Sequence, residues 1–127
     1  MKLFKLFTLA VLAGFLLNST SISAQTQKKQ TAKASIEIIQ FHSEHRCMTC
    51  NKIEELTRET LKSYPSIPFS LVNVDDGKNE KKCTQFEATG TALFLYNPKT
   101  GKKQDLTDFA FMNAQDKEKF IEGLKKH

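Results

Sequence analysis

A single α/β domain with a mixed four-stranded sheet is the fold class this sequence predicts, spanning Ile36 to His127. Three observations predict it. An apolar segment, Ile36 to Phe41, passes after a short loop into an amphipathic helical pattern and then a second strand pattern, as in a βαβ unit. A third apolar segment then turns back through Asn97-Pro98-Lys99-Thr100-Gly101-Lys102, whose residues suit a hairpin. A last amphipathic pattern closes the chain. This length supports one small core and not two, and no internal repeat is visible.

Each element has its own reason. Ile36 to Phe41 is apolar except for Glu37 and Gln40, the composition of a strand covered on both faces. Met48 to Tyr64 places Ile53, Leu56, Thr60 and Leu61 at helical spacing, with Glu54, Glu55, Arg58 and Lys62 outward. Pro65 ends that helix because proline cannot continue the hydrogen-bond ladder. Pro68 to Val74 reads as the second strand, Asp75-Asp76-Gly77 as a turn, and Asn79 to Ala88 as a short helix carrying Cys83 and Phe86. Thr91 to Tyr96 is the third strand and Lys103 to Leu106 the fourth. Phe109 to Met112 reads as an apolar bridge, and Ala114 to Lys126 as the closing helix, with Phe120, Ile121 and Leu124 on one face. The order β-α-β-α-β-β-α is the compact thioredoxin-like arrangement.

The N-terminal segment has a different character. Lys2 and Lys5 precede an apolar run from Leu6 to Leu17, and Ile22-Ser23-Ala24 ends it with small residues. A spanning helix needs roughly 20 apolar residues, so this run is too short for one and matches a secretory signal. Residues 1–24 are therefore expected to be a signal peptide rather than an uncleaved anchor, with Gln25 the new N-terminus. No cysteine lies near the cleavage site to carry lipid. Residues 25–35, with Lys28, Lys29 and Lys33 and no large apolar side chain, form an expected flexible lead-in to the domain at 36–127. The expected destination is the bacterial periplasm or cell envelope, as a monomer without a stable membrane anchor. The formal charge of +5 drops to +3 when Lys2 and Lys5 leave. The remaining lysines are interleaved with acids, so the concentrated basic face that nucleic-acid binding requires is missing.

Chemistry concentrates at Cys47-Met48-Thr49-Cys50, where the first strand hands over to the first helix. Residues three apart at a helix start lie within one turn, so their sulfurs can close a short disulfide ring. Cys47 would sit by unpaired backbone N–H groups and the positive end of the helix dipole, which favour a thiolate. Arg46 adds positive charge in the same direction. Cys47 is thus the expected attacking sulfur and Cys50, more covered, the resolving one. The competing reading of an inert staple is disfavoured, because so short a loop gains little chain-entropy stabilisation. A metal site is the other rival: His42, His45, Cys47 and Cys50 can be combined on paper into a Cys₂His₂ set. Zinc ligand pairs usually come from separated segments, however, and His42 and His45 read better as neighbours tuning the charge of the cysteine pair. Cys83 is expected in the core, the usual place for a free cysteine, with a third thiol near Cys47 as the minority reading.

The strings Ile38-Ile39-Gln40-Phe41-His42, Arg46-Cys47-Met48-Thr49-Cys50 and Ile53-Glu54 resemble an exported thioredoxin-like family, labelled nitrophenyl compound nitroreductase subunit, ArsF type. Gly90-Thr91-Ala92-Leu93, Asp105-Leu106-Thr107 and Ala110-Phe111-Met112-Asn113-Ala114 are similar to it as well, so the resemblance runs from Ile36 to the C-terminus. It implies a thioredoxin-like fold with a redox-active Cys47–Cys50 pair; in the oxidoreductase reading electrons are expected to pass without a bound organic cofactor or metal. It also implies a protein thiol or disulfide partner, with electrons supplied to a reductase subunit. The alternative is a thiolate module binding a soft metal or trivalent arsenic. Two departures from ordinary thioredoxins stand out. Arg46 replaces the tryptophan before the motif, and Thr91, or Gly90 if the register slips, replaces the proline that faces the disulfide. That proline shapes the substrate groove and keeps metals off the cysteines, so Thr91 joins the candidate groove residues.

Overall fold

The computed structural model describes residues 35–127; the expected signal peptide and the lead-in up to residue 34 lie outside them. The described elements run β1 (Glu37–His42), α1 (Met48–Leu61), β2 (Phe69–Asn73), a 3₁₀ turn (Gly77–Asn79) and α2 (Glu80–Phe86). They continue with β3 (Ala92–Asn97), β4 (Lys102–Asp105), α3 (Thr107–Asn113) and α4 (Lys117–Leu124). The four strands lie in the order β2-β1-β3-β4. β1 and β2 are parallel, with Phe41 opposite Val72, while β3 runs antiparallel to both β1 and β4. This mixed sheet, wound by a βαβ unit and closed by a hairpin, is thioredoxin-like.

Central β1 is covered on both faces, which is why its residues do not alternate between apolar and polar. Ile38 faces a core built by Ile53 and Leu56 of α1, Ala110 of α3, and Phe120 and Leu124 of α4. Ile39 and Phe41 face the other way, into a cluster with Val72, Phe86 and Phe94. Phe41 lies 5.3 Å from Phe86 and 5.8 Å from Phe94 between ring centroids, spacings at which tilted and edge-on pairs attract. Outer strand β4 is exposed throughout, and Lys102 and Lys103 on it discourage pairing with another chain.

The hairpin turns at Gly101, whose φ of +73° a side chain would strain, while Asn97 Oδ1 accepts from the Lys99 and Thr100 amides. Helix α1 stops at Leu61 and not at Tyr64. The Ser63 and Tyr64 amides turn to carbonyls three residues back, and Pro65 disfavours helical geometry at the residue before it.

Two expectations at the C-terminus are corrected. The apolar bridge Phe109–Met112 is part of a helix, α3, and the closing helix α4 starts at Lys117 rather than Ala114. Ala110 and Ala114, one turn apart, are the residues that bury, whereas Phe111 and Met112 point outward. Large side chains on the outer face hid a helical period carried by small ones. Asp116 then begins α4 by accepting the Lys119 amide, which separates the two helices. Gly123 lets α4 close on α3, since a Cβ there would fall 2.3 Å from the Phe109 ring.

Candidate active site

Cys47 and Cys50 are joined by a disulfide at the junction of β1's loop with α1, their Cα atoms 5.1 Å apart. Cys47 is the N-cap of α1: its backbone is extended, and its Sγ accepts the Cys50 amide at 3.1 Å. Sulfur thus takes the place that a serine or aspartate oxygen usually fills. In the reduced state the same amide would donate to a Cys47 thiolate, adding to the dipole's stabilisation of that anion. The two sulfurs differ sharply in exposure. Cys47 faces solvent, while Cys50 is 4% exposed.

Two residues from other strands fix Cys50. Gln40, in the middle of β1 and fully buried, donates from Nε2 to the Cys50 carbonyl at 2.9 Å. Its Oε1 is buried without a hydrogen-bond partner. Thr91, just ahead of β3, places Oγ1 3.1 Å from Cys50 Sγ. The position facing the disulfide is therefore Thr91's and not Gly90's. The residue-level reading of the sequence noted Gln40 only as an interruption of an apolar strand. A lone amide inside a strand buried on both faces was the available signal, because such a group needs a buried partner.

Arg46 carries a counter-charge. Its Nη1 pairs with Glu54 in the second turn of α1, and Glu54 Oε1 accepts from Arg58 Nε at 2.8 Å. Burial pushes the Glu54 carboxyl up, but hydrogen bonds from Arg46 and Arg58, with their charges, outweigh it and hold the group below its ordinary 4.5. A folded-state value below the unfolded one means that this pairing stabilises the fold at neutral pH. That contribution is lost as the pH falls through the folded value. Glu54 also offsets the charge of Arg46, the residue just before Cys47. Glu54→Gln is accordingly expected to lower the pKa of the reduced Cys47 thiol, because it leaves the Arg46 charge without its counter-charge. Thiolate ultraviolet absorbance against pH reads this, and a rise or no change would show that Arg46 does not act on the sulfur. The same variant should lose the Glu54 share of acid destabilisation.

The histidines do not join the sulfurs. His42 ends β1 half-buried, with Nδ1 2.9 Å from the Ser43 carbonyl, so that nitrogen carries the proton; His45 is exposed in the loop. Neither hydrogen-bonds to a cysteine among the described residues. Cys83 packs in α2 beside the Phe41 cluster, on the face of the sheet opposite α1, as a small half-buried hydrophobe. Among the described residues no three His, Cys, Asp or Glu side chains gather closely enough to hold a metal ion, so neither the Cys₂His₂ set nor a three-thiol set is assembled.

The fold and site together define a thioredoxin-like domain with a disulfide closed across the first turn of a helix, one sulfur open to solvent and one enclosed. No family model matches the chain, and no curated relative does. Among solved structures it is similar to a thioredoxin of Fasciola hepatica, at 23% identity and a TM-score of 0.45, over 57% of this chain and 66% of that one. It is similar also to thioredoxin O2 of Arabidopsis thaliana in the oxidized state, at 17% identity, TM-score 0.46, over 64% and 74% of the two chains. Thioredoxin f2 of Chlamydomonas reinhardtii aligns at 17% identity and TM-score 0.48, over 68% and 83%. The chain thus spans just under two thirds of the first of these and more of the other two.

Proposed function

We propose that this protein is an exported thiol–disulfide oxidoreductase or dithiol electron carrier, with Cys47 as the exchanging sulfur and Cys50 as the resolving one. The single observation that carries the reading is the asymmetry of the pair: Cys47 is solvent-facing and capped by an N–H donor, while Cys50 is buried behind it. In the electron-accepting direction a partner thiolate attacks Cys47 Sγ. A bond forms between those sulfurs, the Cys47–Cys50 bond breaks, and Cys50 leaves with the electron pair. A second partner thiolate then attacks the partner sulfur of the mixed disulfide. It forms the partner's disulfide and releases Cys47 as thiolate. The reverse sequence delivers two electrons.

Export rests on the segment 1–24, and a reductase subunit of the cell envelope is the partner that the family resemblance favours. Met48, 90% exposed beside Cys47, offers such a partner an apolar contact. The reduction potential sets which direction prevails, and equilibration with glutathione buffers reads it. A value near about −270 mV marks a reductant and one near about −120 mV an oxidant.

Cys50→Ala tests the proposal. The variant is expected to accumulate a mixed disulfide with its partner through Cys47, because the sulfur that would release it is gone. A variant that traps nothing but loses binding of Zn²⁺ or trivalent arsenic would replace the oxidoreductase with a thiolate binding module. If a Cys47→Ser/Cys50→Ser double variant kept full function in its host, the domain would be a structural interaction module instead.

A further inference from the structure

We infer that Thr91 is a catalytic group for the opening of the disulfide: its hydroxyl stabilises Cys50 as the leaving thiolate. The inference rests on the oxidoreductase reading and adds a residue and a step to it. When a thiolate attacks Cys47 Sγ, the electron pair of the broken bond goes to Cys50 Sγ. That sulfur is 4% exposed, so water cannot solvate the anion that forms there. Burial alone would make Cys50 a poor leaving group, since leaving-group ability falls as thiol pKa rises.

One side-chain hydrogen bond reaches that sulfur among the described residues, from Thr91 Oγ1 at 3.1 Å. A disulfide sulfur carries no hydrogen, so in this state the threonine hydroxyl is the donor. A divalent sulfur is a weak acceptor and a thiolate a strong one. The bond therefore strengthens as the S–S bond breaks, and an interaction that grows toward the transition state accelerates the step.

Other donors do not reach it. The Cys50 amide points to Cys47 Sγ, and Arg46 Nη1 pairs with Glu54, while Arg46 Nε and Nη2 are buried without a hydrogen bond to either sulfur. Each sulfur thus has its own donor: a helix amide for Cys47, a hydroxyl from the neighbouring strand for Cys50. Gln40 makes the second arrangement reproducible. By holding the Cys50 carbonyl at 2.9 Å from beneath, it keeps the residue seated against Thr91. Ala92, the next residue, pairs with Phe41 across the sheet, so the hydroxyl sits at the start of a paired strand.

The test is the rate at which dithiothreitol opens the disulfide, in wild type, Thr91→Val and Thr91→Ser. Valine keeps the shape and removes the donor; serine keeps the donor. The valine variant is expected to open about tenfold to a hundredfold more slowly, the weight of one hydrogen bond to a charged group. The serine variant should stay within a few-fold of wild type. A second reading guards against a damaged fold. In a Cys47→Ser background, Thr91→Val should raise the Cys50 thiol pKa by about one unit while far-ultraviolet circular dichroism is unchanged. Wild-type opening rates with an unmoved Cys50 pKa in the valine variant, or a serine variant as slow as valine, overturn the role of Thr91 and leave the oxidoreductase reading standing. A wild-type disulfide that dithiothreitol does not open overturns both.

Discussion

Cys47→Ser is expected to remove thiol–disulfide exchange, lowering the rate by on the order of 10⁴-fold or more, the scale of losing an enzyme's nucleophile. Serine is chosen for a structural reason. Cys47 is the N-cap of α1 and accepts the Cys50 amide, and serine is among the best residues for that position. The cap survives while the exchanging sulfur is lost, so a dead variant is not an unfolded one. The disulfide disappears too, but a loop this short contributes at most about 2 kcal/mol of chain-entropy stabilisation. The checks are insulin or glutathione-disulfide turnover beside a urea melt of the same preparation. Substantial remaining turnover would move the chemistry to another thiol, either Cys50, which this variant sets free, or Cys83.

The largest expected effect on stability comes from Phe41→Ala, a loss of about 3–5 kcal/mol. Phe41 is fully buried at the end of β1, its ring against Phe86 and Phe94, with Phe86 in turn 5.1 Å from Tyr96. Deleting it removes apolar burial and two aromatic pairs and leaves a void between the sheet and α2, which two strands and a seven-residue helix cannot close by small shifts. A small domain has about 5–15 kcal/mol in total, so this variant should be marginal at room temperature. Urea titration reads it as a lower midpoint with an unchanged slope. A cost below about 1 kcal/mol would mean that the cluster repacks freely.

Much of the fold was written locally. The βαβ unit followed from an apolar run, an amphipathic run and Pro65, each legible within a few residues, and the hairpin from Asn97 to Gly101 in the same way. Helix α3 was not, because its buried face is made of Ala110 and Ala114 while Phe111 and Met112 dominate the pattern from outside. The cysteine pair was legible because both members lie in one turn. Its surroundings were only partly so: Thr91 was marked as a groove residue, yet its bond to Cys50 spans 41 positions. Arg46 was marked for its charge, without the Glu54 partner that offsets it.

The sequence by itself determined the spacing of Cys47 and Cys50, their place at a helix start, and hence which of them takes the cap. Those are properties of one turn of chain, set by helix geometry alone. The tertiary structure decided what surrounds the enclosed sulfur: Gln40 from β1 beneath it, Thr91 from the edge of β3 beside it, and Cys83 kept on the far face of the sheet. Strand register makes those choices, since a shift of one residue would turn Gln40 toward the aromatic cluster and take its amide away from Cys50.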